Sequence, residues 1–123
     1  MITWIILFFS VLVIPIMMIV FGYLFIKKPP KKINGAYGYR TSMSIKNQEL
    51  WDFAHQYFGK LWFRCGWILF MITILLMFFL TKMGEKVIDS MIVKLVILQV
   101  IALIGCIFPT ERELHKRDKK NLQ

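Results

Sequence analysis

Three long apolar stretches alternate with polar segments along the chain. They cover residues 2–26, about 61–80 and about 91–108. Each stretch is long enough to cross the roughly 30 Å hydrocarbon core of a bilayer as a helix. The pattern therefore predicts an all-α membrane protein with three transmembrane helices, forming one domain over residues 1–123. It also predicts a polar loop over residues 27–60 and a polar tail over residues 109–123.

An amphipathic pattern precedes the second apolar stretch. Over residues 48–60 the apolar side chains fall on one side of a helix, whereas acidic, amide and lysine side chains occupy the other. Asn47 is placed to cap the first turn. We predict a cytoplasmic amphipathic helix that lies on the membrane surface before the second span. His55 is interpreted as a solvated residue of this helix, because no second histidine or cysteine stands near it.

Polar residues in and after the third stretch predict two structural contacts. Gln99 lies near the middle of the span. It is expected to form hydrogen bonds between helices, with Ser10, Thr73 or a backbone carbonyl as the partner. Beyond the span, Thr110 is placed to cap a short helix in the tail, with Glu113 completing a capping box.

The composition agrees with a membrane protein. Hydrophobic residues make up 58% of the chain and charged residues only 19%. A soluble domain of this length could not bury so much apolar surface, so the bilayer is the expected solvent. Cys65 and Cys106 both lie in predicted spans and are interpreted as small apolar side chains, since no disulfide or metal-binding pattern surrounds them.

The distribution of charge predicts the orientation in the membrane. The net charge is +9, and the basic residues flank the apolar stretches. This placement favours anionic lipid headgroups over nucleic acid as the partner. The loop over residues 27–60 and the tail are rich in lysine and arginine, whereas the N-terminus has none. We therefore expect the N-terminus outside and the C-terminus in the cytoplasm, and we expect the first helix to be retained rather than cleaved as a signal peptide.

The candidate functional residues are concentrated in the polar loop. They are Asn34, Gly35, Tyr37, Gly38, Tyr39, Arg40, Thr41, Ser44, Lys46, Asn47 and Trp51. Asn34-Gly35 predicts a turn, and Gly38 allows its backbone to approach another surface closely. Arg40 has two interpretations: it binds the loop to the tail, with Glu111 as the candidate partner, or it contacts a ligand directly.

Sequence signals for catalysis are weak. The chain has no HExxH, no GxSxG and no glycine-rich phosphate loop, and its two histidines lie in different segments. The predicted spans also lack the acidic residues expected of a proton or ion pathway. We predict a protein that is not an enzyme and that binds no metal or other cofactor.

The loop and tail motifs resemble those of a known family. The residues that carry the resemblance are Asn34-Gly35-x-Tyr37-Gly38-Tyr39-Arg40-Thr41, Ser44-x-Lys46-Asn47, Trp51 and Pro109-Thr110-Glu111-x-x-Leu114-x-Lys116. This pattern is similar to that of the SdpI family of small bacterial membrane proteins. The founding member has further membrane helices ahead of this module, so the chain resembles a short form. The resemblance implies immunity against a secreted, membrane-disrupting toxin peptide, and signalling through a cytoplasmic repressor held at the membrane.

These expectations give three functional hypotheses. The first is a non-enzymatic immunity or signalling protein of the bacterial cell membrane, with a toxin peptide, a cytoplasmic repressor or another membrane protein as its partner. Tyr37, Tyr39, Asn34 and Arg40 would form its polar centre, and Trp51 would hold that centre at the interface. The second hypothesis is a small membrane enzyme or lipid-handling protein that binds phosphate headgroups through the Arg40 loop. The third is a structural subunit of a larger membrane complex.

Overall fold

The computed structural model describes residues 2–122, and the fold over this range is helical. The helices are α1 (Ile2–Lys27), α2 (Gln48–Leu80), α3 (Glu85–Gly105) and α4 (Ile107–Leu122). No strand occurs within the described range. Three helical segments, Ile2–Lys27, Gln48–Leu80 and Glu85–Lys120, are long and apolar enough to cross a membrane. The prediction of an all-α membrane protein with three spans is confirmed.

The predicted amphipathic helix is not a separate element. Residues 48–60 form the first turns of α2, which continues without a break to Leu80. Asn47 caps this helix as predicted, because its Oδ1 accepts a hydrogen bond of 2.9 Å from the amide of Leu50. A helix of 33 residues is about 50 Å long, so its first turns extend beyond a hydrocarbon core of roughly 30 Å.

The apolar face of these first turns is buried inside the protein. Leu50, Trp51, Ala54 and Phe58 are almost completely inaccessible to solvent. They pack beneath the polar loop and the tail instead of facing lipid headgroups. This burial gives the amphipathic pattern a physical reason that does not require a helix lying on the membrane surface.

Helices α1 and α2 make the most extensive contact of the fold, and glycines bring them together. A Cβ atom at Gly22 would lie 2.6 Å from the backbone nitrogen of Phe63 and 2.8 Å from the carbonyl oxygen of Gly59. Gly66 follows Phe63 by about one turn of α2. A Cβ atom at Gly66 would lie 2.9 Å from Ile19 of α1. Small residues of this kind allow two helix backbones to approach closely where no hydrophobic effect drives association.

A buried glutamine connects α3 to the other two spans. The Nε2 atom of Gln99 donates hydrogen bonds to the carbonyl oxygen of Val11 at 2.9 Å and to Oγ1 of Thr73 at 3.0 Å. The predicted bonds between helices are therefore confirmed for Thr73 and for a backbone carbonyl. Ser10 has a different role, because its hydroxyl donates to the carbonyl of Ile6 within α1.

The predicted tail, which starts at residue 109, begins inside α4 and not at the N-cap of a new helix. Cys106 alone separates α3 from α4, and Thr110 lies in the first turns of α4. The Thr110 hydroxyl donates to the carbonyl oxygen of Cys106 at 2.8 Å. The prediction that Thr110 caps a tail helix is wrong, because α4 has already begun at Ile107 and the threonine bonds back to the preceding turn.

The glycine contact gives a direct test of the packing. Replacing Gly22 by alanine should force α1 and α2 apart and destabilise the fold by about 1–3 kcal/mol, as overpacking does in other tightly packed interiors. Gly105→Ala is the matched control, because a Cβ atom there would meet no atom within 4 Å. Unfolding of the two variants in detergent measures the difference. Equal stability would contradict the close approach of α1 and α2.

Candidate functional site

The polar loop between α1 and α2 begins with a turn that Asn34 holds. The Oδ1 atom of Asn34 accepts hydrogen bonds from the amide of Ala36 at 3.0 Å and from the amide of Tyr37 at 2.7 Å. Its Nδ2 donates to the carbonyl oxygen of Lys32 at 3.1 Å. The side chain therefore satisfies three backbone groups, as asparagine does in tight turns. The turn predicted from Asn34-Gly35 is confirmed in this geometry.

Gly38 brings the loop into contact with α2. Its φ angle is +119°, a conformation that favours glycine. A Cβ atom there would lie 2.6 Å from Nε2 of His55, 3.0 Å from Pro30 and 3.2 Å from the indole of Trp51. No other residue fits this position without displacing its neighbours, so the close backbone approach expected of Gly38 is present.

His55 is the acceptor that holds the loop backbone. Its imidazole is fully buried, and its Nε2 accepts a hydrogen bond of 2.9 Å from the amide of Tyr39. Because Nε2 is the acceptor, Nδ1 carries the proton and donates to the carbonyl oxygen of Trp51 at 2.7 Å. The interpretation of His55 as a solvated residue is therefore wrong. Its helical spacing from Trp51 and Phe58, both buried, was the signal that could have placed it inside.

Burial also controls the charge of His55, which lies ahead of the span that begins near Leu61. Desolvation lowers the pKa of His55 below its usual value of 6.5, and this effect outweighs the hydrogen bond to Trp51 and the charge of Asp52, which both raise the pKa. The stability of the fold therefore depends on pH through this histidine. The neutral ring contributes stability above pH 6.5, and that contribution is lost as the pH falls towards the lower pKa of the folded state.

Tyr39 and Lys46 connect the loop to α4. The Tyr39 hydroxyl donates a hydrogen bond of 2.7 Å to Oε1 of Glu111, while its ring centroid lies 4.6 Å from that of Phe58. Burial, and then the hydrogen bond and charge of Glu111, raise the pKa of Tyr39, so the phenol remains a donor. The Lys46 ammonium forms a 2.6 Å ion pair with Asp118. Loop and tail therefore meet at one end of the protein, through two contacts.

The remaining loop residues form a local hydrogen-bond network. The Ser44 hydroxyl is buried, donates to the carbonyl oxygen of Tyr39 at 2.9 Å and accepts from the amide of Thr41 at 2.8 Å. The indole of Trp51 donates to the carbonyl oxygen of Pro30 at 2.7 Å. Trp51 is completely buried, so it holds the start of the loop rather than lying at headgroup level.

Arg40 differs from its neighbours. Its side chain is exposed, and among the described residues none forms a hydrogen bond or an ion pair with its guanidinium. The contact between Arg40 and Glu111, one of the two predicted alternatives, is not present, and it is Tyr39 that donates a hydrogen bond to that carboxylate. Nη2 of Arg40 instead lies over the turn, 4.0 Å from where a Cβ atom of Gly35 would be. A planar group with five donors is thus left available to a ligand.

The loop is not part of a metal-binding cluster in the part of the chain that the structure describes. There, no group of three or more histidine, cysteine, aspartate or glutamate side chains is arranged to hold a metal ion. The site is instead a set of hydrogen bonds that position the loop against α1, α2 and α4.

Comparison with known proteins decides the family. The sequence profile of the SdpI/YfhL protein family matches residues 31–110, which is more than half of the chain. The chain belongs to the SdpI/YfhL family. This confirms the resemblance seen in the loop motif. The match contains all the loop residues of the site, whereas Glu111 and Asp118 lie just beyond it.

One relative within the SdpI/YfhL family aligns with part of the chain. The uncharacterized protein YfhL of Bacillus subtilis (strain 168) is 42% identical over 53 residues, which are 43% of this chain and 48% of that protein. The chain thus aligns with about half the length of this relative. No solved structure matches the chain.

The bond between Tyr39 and Glu111 can be measured by a double-mutant cycle. Tyr39→Phe and Glu111→Ala should each lower the free energy of unfolding by about 1–3 kcal/mol, since both break a hydrogen bond to a charged group. The double variant should be little worse than either single variant, because the same bond is lost only once. Tyr23→Phe is the control, since Tyr23 is half-exposed on α1. Fully additive losses would contradict the contact.

Proposed function

We propose that this chain is a non-enzymatic immunity protein of the bacterial cell membrane, which protects against a secreted toxin peptide. Membership of the SdpI/YfhL family and three membrane-spanning helices support this proposal. The observation that carries it furthest is structural. The loop matched by the family profile is packed between the spans and the tail through His55, Tyr39 and Glu111. Such a loop responds to any ligand that moves the helices.

The mechanism we propose begins in the bilayer. A membrane-disrupting peptide binds the exposed apolar surface of the helical bundle and shifts α1 relative to α2. Tyr37 packs on α1, with its ring centroid 5.8 Å from that of Phe25, while the neighbouring Gly38 and Tyr39 contact α2. A change in the distance between these helices therefore acts on both sides of the loop, and reaches α4 through Glu111 and Asp118.

The end of the protein at which the loop and the tail meet would lie in the cytoplasm. Most of the basic residues belong to the loop and the tail, and only Lys82, Lys86 and Lys94 lie near the opposite end of the bundle. The positive-inside rule then places the N-terminus outside and the C-terminus in the cytoplasm. In this orientation the exposed basic face of α4 is available to dock a cytoplasmic regulator.

A survival assay tests the proposal. A toxin-sensitive bacterial strain that expresses the chain is challenged with the toxin peptide, beside strains that express Arg40→Ala or Lys82→Ala at the same membrane level. The wild type and Lys82→Ala should protect, because Lys82 is an exposed cation remote from the loop. Arg40→Ala should reduce survival to that of cells without the protein, because the exposed Arg40 guanidinium is the loop group that is available to contact a ligand.

Two results would change the conclusion. If the folded and inserted wild type gives no protection, the chain is not an immunity protein against that toxin. If Arg40→Ala protects as well as the wild type, immunity resides in the spans and the loop is not its functional centre.

A further inference from the structure

An aromatic cleft lies beside the polar loop, between α1, the loop and α2. Its volume is about 220 Å³, and three segments line it. These are α1 with Met17, Phe21 and Phe25, the loop with Ala36, Tyr37 and Gly38, and α2 with Trp62. The ring of Tyr37 lies 6.3 Å from Phe21 and 5.8 Å from Phe25, measured between centroids. The loop thus forms one wall of an otherwise apolar groove.

The cleft lies within the depth of one leaflet of a bilayer, because Met17 is the α1 lining residue furthest from the loop end of that helix. Met17 precedes Lys27, the last residue of α1, by ten positions. At 1.5 Å per residue this places Met17 about 15 Å below the end of the helix. One half of a hydrocarbon core of roughly 30 Å has the same thickness. A ligand in the cleft would therefore extend from the level of the loop to near the bilayer centre.

The exposed Arg40, which has no hydrogen-bond or ion-pair partner among the described residues, lies near the mouth of the cleft. The Arg40 guanidinium lies over Gly35, the residue that precedes Ala36 in the cleft wall. Exposed lysines at the end of α1 and just after it add positive charge near this level, and they are Lys27, Lys28, Lys31 and Lys32. Guanidinium geometry suits a phosphate through two parallel hydrogen bonds. A phosphate above an apolar groove of one-leaflet depth is the chemistry of a phospholipid.

We propose that this cleft binds one anionic phospholipid, with an acyl chain along Phe21 and Trp62 and its phosphate on Arg40. The positive charge of the loop end favours an anionic headgroup over a zwitterionic one. The proposal assigns a role to Arg40, the motif residue whose charge has no partner among the described residues. It does not depend on immunity, because the lipid site is measured on the purified chain without any toxin.

The fluorescence of Trp62 reports occupancy of the cleft. The full chain is reconstituted in phosphatidylcholine vesicles that contain a small fraction of lipid with brominated acyl chains, which quench nearby tryptophans. The difference between the wild type and Trp62→Phe isolates the Trp62 signal. Brominated phosphatidylglycerol should occupy the cleft with about a fivefold preference over brominated phosphatidylcholine, as expected for one additional cation–anion contact at a membrane surface.

Three variants define the site. Arg40→Gln should reduce the preference for phosphatidylglycerol to the weaker one that the nearby lysines give, while Lys82→Gln, at an exposed cation of the opposite end, should leave the preference unchanged. Ala36→Phe should fill the cleft and reduce quenching by both lipids. Arg40 and Ala36 are exposed, so these substitutions leave the packed interior intact, and helical content measured by circular dichroism checks this.

The proposal is overturned by any of three results. Equal quenching by both lipids in the wild type shows that the cleft holds bulk lipid and does not select an anionic headgroup. A preference that is unchanged in Arg40→Gln removes Arg40 from the site. A preference that survives Ala36→Phe and disappears with added inorganic phosphate shows a headgroup contact outside the cleft.

Discussion

The hydrogen bond from the amide of Tyr39 to the buried Nε2 of His55 holds the polar loop in place. A backbone donor that is pressed against apolar helices costs free energy unless it finds an acceptor. In this structure a side chain of α2 supplies that acceptor. His55 does so only in its neutral form with the proton on Nδ1, which the carbonyl oxygen of Trp51 stabilises. Gly38 supplies the space, because any Cβ atom there would collide with the same imidazole.

The rest of the site depends on this contact. With the backbone fixed at Tyr39, its phenol reaches Glu111 on α4, while Tyr37 on the other side of Gly38 packs over α1. One short segment therefore contacts three helices. The mechanism that we propose uses this connection, because it joins the spans to the tail. The same geometry leaves Arg40 exposed beside an aromatic cleft, where a phosphate can reach it.

Much of the fold could be predicted from the sequence. Uncharged apolar stretches gave the three spans, because a bilayer accepts few alternatives to helices. Asn47 as a cap and Gln99 as a link between helices followed from their chemistry. The helical spacing of His55 from Trp51 and Phe58 could have indicated its burial, but its role as an acceptor depends on a loop that folds back from seventeen residues earlier at Gly38. Likewise, nothing in the local pattern around Glu111 showed that Tyr39, rather than its charged neighbour Arg40, would reach it.

Amide hydrogen exchange at Tyr39 tests the account most directly. In the folded chain, in a micelle or a lipid disc, this amide should exchange much more slowly than that of Ile33, which belongs to an exposed part of the same loop. His55→Phe removes the acceptor and should abolish the protection, whereas His115→Phe, on the exposed face of the tail, should leave it unchanged. If the amide of Tyr39 exchanges as fast as that of Ile33 in the wild type, the loop is not held by His55 and the coupling between spans and tail has no structural basis.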